Sequence, residues 1–128
     1  MPHIIIEYSA NLEDGLDMAA FCEHLRKTAA GIDAFPTPGI RVRAFKADYY
    51  AIADGNPDHA FLDISLRLRG GRSDAVKKAS TEEMFAAITS YLSPILESRS
   101  LAISFEMRDI DPELSPKTGT IRKYLKDS

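Results

Sequence analysis

The chain has few of the features that mark several functional classes. It holds one cysteine, Cys22, in 128 residues, which excludes an internal disulfide. Net charge is −3 and no basic block occurs, so the electrostatic footprint of a nucleic-acid binder is missing. No apolar run approaches the ~20 residues that span a bilayer. The apolar stretch His3–Ile6 is too short for a secretory signal and has no basic leader. A chain processed to begin at Pro2 also argues against export, and the expected location is the cytoplasm. The glycines form neither GxGxxG nor GxxxxGK(S/T), which removes the usual nucleotide cradles. His3, His24 and His59 lie far apart, with no HxxxH, HExxH or CxxC spacing, so solvated or structural histidines are expected and no metal site.

What is present is an ordinary globular composition, 45% hydrophobic and 27% charged, enough to build the core of one domain over residues 1–128. The informative position is Pro2. With Met1 removed, its ring nitrogen is a free secondary amine whose lone pair is held in a fixed direction. An α-amino group titrates near ~7.7–8.0. Burial or nearby cations lower that value, so such an amine suits general base work at neutral pH. Many chains begin Met-Pro without any catalytic reason, and the rest of the sequence must decide.

Pro2–Tyr8 is an apolar, β-branched run that reads as a buried strand, and Asn11–Asp17 is turn-like. Met18, Phe21, Cys22, Leu25 and Ala29 share one face of a helix that stops at Gly31. Ile32–Gly39 carries Pro36 and Pro38 and is a loop. Ile40–Phe45 alternates, with Ile40, Val42 and Ala44 on one face and Arg41, Arg43 and Phe45 on the other; after a bend at Lys46–Asp48 the strand is expected to resume toward Ala53. Asp54–Pro57 is a turn.

Ala60–Arg69 alternates most cleanly, with Ala60, Leu62, Ile64, Leu66 and Leu68 opposed to Phe61, Asp63, Ser65, Arg67 and Arg69. Gly70-Gly71-Arg72-Ser73 leads into a long helix over Ser73–Glu97, with Ser73 as its N-cap. Its buried stripe is Met84, Ala87, Ile88, Tyr91, Leu92 and Ile95, and a kink or early end is expected at Pro94. Leu101–Ile110 is the last main strand, and Lys117–Lys126 suits a short terminal helix.

The order is β-α-β, turn, β-α-β. Right-handed crossovers place both helices on one face of a four-stranded mixed sheet, an α+β two-layer βαββαβ sandwich with two pseudo-repeated halves. The other sheet face is left bare, and self-association is the economical way to cover it.

A second-position proline opening a strand, two βαβ halves and arginines near strand ends together resemble the tautomerase superfamily. Within it, the segments at 2–12 (PHIIIEYSANL), 38–45 (PGIRVRAF), 53–73 (ADGNPDHAFLDISLRLRGGRS) and 96–117 (LESRSLAISFEMRDIDPELSPK) are similar to the 5-carboxymethyl-2-hydroxymuconate Δ-isomerase family. The resemblance implies a homotrimer with no cofactor, acting in homoprotocatechuate breakdown on an unsaturated di- or tricarboxylate. It implies proton transfer from the 2-hydroxyl to carbon 5 of a dienol, with Pro2 as the catalytic base/acid and Arg41 and Arg72 at the family's substrate-binding positions.

An arginine fork holds a carboxylate through paired hydrogen bonds, and a second arginine stabilises a developing oxyanion. Taken singly, Arg41 and Arg43 also suit a solvated strand face, and Arg72 the decoration of a helix start, where a cation is mildly unfavourable. Phe35 and Phe105 are candidates for an apolar wall around Pro2, and both equally suit core packing. Ser65 and Ser104 have no evident histidine–acid partner, which argues against a serine nucleophile. Glu7 and Glu106 are strand carboxylates suited to accept from the arginines. Two other readings remain open: a tautomerase for another enol, such as phenylpyruvate or 2-hydroxymuconate, and a non-enzymatic trimeric binding module.

Overall fold

The computed structural model describes residues 1–126. Four strands form one sheet in the order β2-β1-β3-β4: β1 (His3–Ser9), β2 (Arg41–Ala47), β3 (Ala60–Arg69) and β4 (Leu101–Ile110). β1 runs parallel to β2, β3 runs parallel to β4, and the two central strands β1 and β3 are antiparallel. Helices α1 (Met18–Ala30) and α2 (Asp74–Ser98) are the crossovers of the two halves. This is the mixed sheet with two helices that the alternation predicts.

The core lies between sheet and helices. Ile4 and Ile6 from β1 and Leu62, Ile64, Leu66 and Leu68 from β3 have no exposed surface, and they meet Phe21 and Leu25 of α1 and Met84, Ile88 and Leu92 of α2. Strand periodicity sends the intervening residues to the opposite face. There His3, Ile5, Phe61, Ser65 and Arg67 are half-buried, while Phe45 is 54% exposed.

The helix ends follow local chemistry. Asp17 caps α1 by accepting from the Ala20 N–H at 3.1 Å, and Ser73 caps α2 by accepting from the Val76 N–H at 3.2 Å. Gly71 takes φ +117°, a conformation glycine adopts at little cost, to turn β3 into α2.

Two local expectations are corrected, and of the kink or early end expected at Pro94 the early end does not occur. The strand after Ile40–Phe45 does not resume: β2 ends at Ala47, and the chain passes through bends before the Asp54–Pro57 turn. Tyr49 is almost wholly exposed, and of this segment's aromatics only Tyr50 meets the sheet, edge-on to Phe61. The helix α2 runs on past Pro94 to Ser98. Proline forfeits only the bond to the Ser90 carbonyl, and Ser90 and Pro94 are both exposed, where water serves the freed oxygen. The tail forms a single 3-10 turn, Ile121–Tyr124, rather than a helix over Lys117–Lys126, and Ile121, Tyr124 and Leu125 stay exposed. A one-turn segment whose apolar residues stay exposed cannot repay helix nucleation.

Because Pro94 lies in an exposed helical position, Pro94→Ala restores one backbone bond. It is expected to stabilise the fold by roughly 1–2 kcal/mol after the lost chain stiffness is subtracted. Urea unfolding of the two proteins measures it; an unchanged or lowered midpoint would contradict the account of α2.

Candidate active site

Sheet topology brings one set of strand ends together. β1 and β2 are parallel, so their first residues are neighbours, with His3 opposite Arg41. β3 is antiparallel to β1, so its last residues return to the same end, with His3 opposite Arg67. β4 follows β3, which puts Arg69 opposite Ile110 and starts the C-terminal tail there too. The amino terminus therefore meets Arg41, Arg67, Arg69 and the GGRS turn without any long-range loop.

Two adjoining cavities of ≈ 420 and ≈ 350 Å³ open at this end, and Met1, Arg41, Arg69, Lys117 and Thr118 line both. The first adds His3 and Arg67 on the bare sheet face, and the second adds Pro36, Pro38, Gly39, Arg72 and Arg122 on the side of the proline loop. Among the described residues no aspartate or glutamate lines either cavity. In a chain of net charge −3, a group of cations without carboxylates is a site shaped for an anion.

Pro2 is buried, and its carbonyl accepts from the Arg41 N–H at 3.1 Å. Met1 precedes it, so in this form the ring nitrogen belongs to a peptide bond and has no basicity. The Met1 amine reports the electrostatics of the position. Its pKa is lowered by burial first, then by Lys117, Arg72, Arg69 and Arg41. Gly39 makes room for the terminus: a Cβ there would stand 3.0 Å from Met1 Cα and 3.2 Å from Met1 Cβ and Cγ.

The arginines are held by backbone carbonyls. Arg41 Nη1 donates to Gly39 O at 3.0 Å. Arg72 donates from Nε and Nη2 to Ala34 O at 3.1 and 2.8 Å, and from Nη1 to Arg69 O at 2.9 Å. A guanidinium so anchored keeps N–H donors free on Nη1 and Nη2, and its charge is not neutralised. His3 faces Arg43, with Nδ1 3.4 Å from Arg43 Nη1. Arginine can only donate, so Nδ1 is the accepting nitrogen. Burial, followed by Arg67, Arg41 and Arg43, lowers the His3 pKa and favours the neutral ring.

The structure thus brings Pro2, Arg41 and Arg72 to one place. It does not bring the two phenylalanines. Phe35 is 2% exposed and belongs to the core under the proline loop. Phe105 lies on the α2 side of β4, in a shallow cleft with Thr81 and Phe85. Strand alternation decides this, since Phe105 shares its face with Ile103 and Met107, which pack toward the core. Glu106 pairs with Arg108 at 2.7 Å rather than with a site arginine.

Lys117, Arg69, Arg67 and Gly39 are the site residues the sequence reading left unassigned. The alternation already put Arg67 and Arg69 on one face; the signal that was missing was the antiparallel pairing, which turns that face toward Pro2.

A second cluster also escaped the sequence. His59 bridges Ser100 Oγ, 2.7 Å from Nδ1, and Asp54 Oδ1, 2.8 Å from Nε2. Asp54 is 78% exposed on its side chain, and the cavity lined by His59 does not include Ser100. The cluster fastens the Asp54–Pro57 turn to the junction of α2 and β4. Of the other histidines, His24 stacks on Tyr91 at 4.6 Å. No group of three or more His, Cys, Asp or Glu side chains suited to a metal occurs among the described residues.

A sequence profile described as 5-carboxymethyl-2-hydroxymuconate isomerase matches residues 2–125. The 5-carboxymethyl-2-hydroxymuconate Delta-isomerase of Escherichia coli is 32% identical over 126 residues, covering 98% of this chain and 100% of its own. A crystal structure of a 5-carboxymethyl-2-hydroxymuconate delta-isomerase superposes with a TM-score of 0.90 at 33% identity, covering 100% of this chain and 95% of that one. At 20% identity the fold alone is shared with a fused 4-OT protein described as a symmetric trimer, with a TM-score of 0.65 over 91% of this chain and 93% of that one.

The Gly39 contact yields a test specific to the terminus. In protein that retains Met1, Gly39→Ala overpacks against Met1 Cα and is expected to cost about 1–3 kcal/mol. In protein that has lost Met1 the cost should largely vanish. Thermal melts of the two forms, each verified by intact mass, make the comparison; equal destabilisation in both would sink it.

Proposed function

The chain belongs to the 5-carboxymethyl-2-hydroxymuconate isomerase family of enzymes, and from that membership we propose that it isomerises a carboxylate-rich dienol, moving a proton from the 2-hydroxyl to carbon 5, with Pro2 as the base once Met1 is removed. The observation that supports this most is the amino terminus lying among Arg41, Arg69, Arg72 and Lys117 with no carboxylate lining the cavities among the described residues.

Pro2 takes the hydroxyl proton. The electron pair left on oxygen delocalises through the diene to carbon 5, and the same nitrogen, now protonated, returns its proton there. The product is the 2-oxo-3-ene, and no redox partner is needed. The intermediate gathers negative charge on the 2-oxygen and the neighbouring carboxylate. Arg41 and Arg72 bind carboxylate and oxyanion between them, and their fixed positions mean that little reorganisation accompanies the charge. The same cations disfavour the protonated amine, which keeps Pro2 available as a base near neutral pH.

The assembly proposed is a homotrimer built on the sheet face opposite the helices. That face carries the exposed Phe45 and the half-buried Phe61, which meets Tyr50 edge-on at 6.4 Å, and among the described residues no helix packs on it. The trimeric description of the 4-OT relative is consistent with this.

Pro2→Ala, in processed form, is expected to lose about 10²–10⁴-fold in kcat/KM, because a flexible primary amine replaces the ring base. Near-normal turnover by that variant in an enol–keto absorbance assay would overturn the assignment. Arg41→Ala and Arg72→Ala are each expected to lose about 10²–10³-fold on the dienol. Arg72→Ala should also lose some stability, since it releases the Ala34 and Arg69 carbonyls.

The pH profile carries an independent sign. A depressed amine pKa places the ascending limb of kcat/KM below the ordinary α-amino range. Removing the Arg72 cation stabilises the ammonium form and moves that limb to higher pH. A limb that stays put in Arg72→Ala contradicts the electrostatic account.

A further inference from the structure

We propose that Lys117, on the tail after β4, is a substrate-binding residue that holds a carboxylate beyond the one Arg41 and Arg72 engage, and so makes this site selective for polycarboxylates. The proposal rests on the isomerase reading for the identity of the substrate.

The tail is aimed by a hydrogen-bonded turn. Asp111 accepts from the Glu113 N–H at 2.9 Å through Oδ1 and from the Leu114 N–H at 3.3 Å through its carbonyl, and the same carbonyl accepts from Ser115 Oγ. Pro112 closes on Gly70, where a Cβ would lie 3.5 Å from Pro112 Cδ, and the Gly70 N–H donates to Ile110 O at 3.0 Å. The chain thus leaves the sheet in a fixed direction and crosses the cavity mouths at Lys117.

Lys117 lines both cavities, at their junction with Met1. Its charge also acts on the amine at the terminus more strongly than that of Arg72, Arg69 or Arg41.

An exposed lysine is ordinarily solvated and pairs with any acid in reach. Lys117 instead faces cations, and among the described residues no acidic side chain forms an ion pair with it. Arg67, in the same cavity wall, keeps a buried Nε with no hydrogen-bond partner. Like charges gathered without counter-charge raise the free energy of the empty site, and an anionic occupant relieves it. Two arginines suffice for one carboxylate and the developing oxyanion. A substrate with a further carboxylate supplies the charge that Lys117 lacks. A flexible ammonium suits that task, because it follows a carboxylate whose position varies between substrates.

The test compares Lys117→Met, Lys117→Arg and the native enzyme, all lacking Met1. With 5-carboxymethyl-2-hydroxymuconate, Lys117→Met is expected to raise KM about tenfold, the loss of one charge-assisted contact, and Lys117→Arg to restore most of it. With the enol of phenylpyruvate, which has one carboxylate, KM measured above the ascending limb of each variant's pH profile should move less than about twofold, since Lys117 has no group to hold. A merely structural tail would change both substrates alike and lower the melting temperature.

Calorimetric titration with tricarballylate provides a readout free of turnover, and Lys117→Met should weaken its binding about tenfold. Equal effects on the two enols, or a tricarballylate affinity unaffected by Lys117→Met or absent in the native protein, would overturn the proposal. Native protein that binds tricarballylate through Lys117 yet turns over neither enol would support the carboxylate contact and refute the isomerase assignment.

Discussion

The antiparallel pairing of β1 with β3 is the constraint on which the rest depends. Were these central strands parallel, β3 would end at the far side of the sheet, and Arg67, Arg69 and Arg72 would point away from the amino terminus. Because they are antiparallel, one end of the sheet collects the starts of β1 and β2 and the ends of β3 and β4. The pairing is secured by burial: Ile4 opposes Leu66 and Ile6 opposes Ile64, all without exposed surface. A slip of one residue would send those side chains to the bare face and the arginines into the core, a cost no single contact could offset.

Electrostatics then work in one direction. Arg41 and Arg72 near Met1 are anchored by backbone carbonyls rather than by carboxylates, so their fixed positions do not cancel their charge. The same field that would draw in an anionic substrate also disfavours a proton on the terminal amine. In the proposed mechanism, substrate capture and base availability are therefore not separate adjustments of the site.

Much of this was legible in the amino-acid sequence, for identifiable reasons. Ala60–Arg69 is seen in the structure with the boundaries its alternation implies, because a period of two has no competing interpretation over ten residues. Arg41 sits beside Pro2 because each begins or precedes a strand of one parallel pair. Less was legible where the outcome depends on depth or on chain partners. Phe35 and Phe105 are aromatic residues near relevant segments, yet side-chain direction placed both in packing roles away from the cavities. Lys117 carries no local signature at all. Its place follows from the turn at Asp111, and the apolar residues of the tail around it, Leu114, Ile121 and Tyr124, are exposed. The Ser100–His59–Asp54 cluster joins residues 41 positions apart and is a product of tertiary closure.

The Met1–Gly39 contact bears on which forms of the chain the fold accepts. β1 is an inner strand, flanked by β2 on one side and β3 on the other, and Pro2 is buried where they meet. With those neighbours in place, Met1 stands against Gly39, half-buried at the mouth of the two cavities. The fold thus accommodates the chain with Met1 attached, and the cations that act on its amine come from β2, the end of β3, the turn before α2 and the tail alike. A polypeptide that keeps Met1 folds to this sheet around an amide nitrogen, so that under the proposed mechanism two populations with one architecture would differ in chemical competence by a single residue.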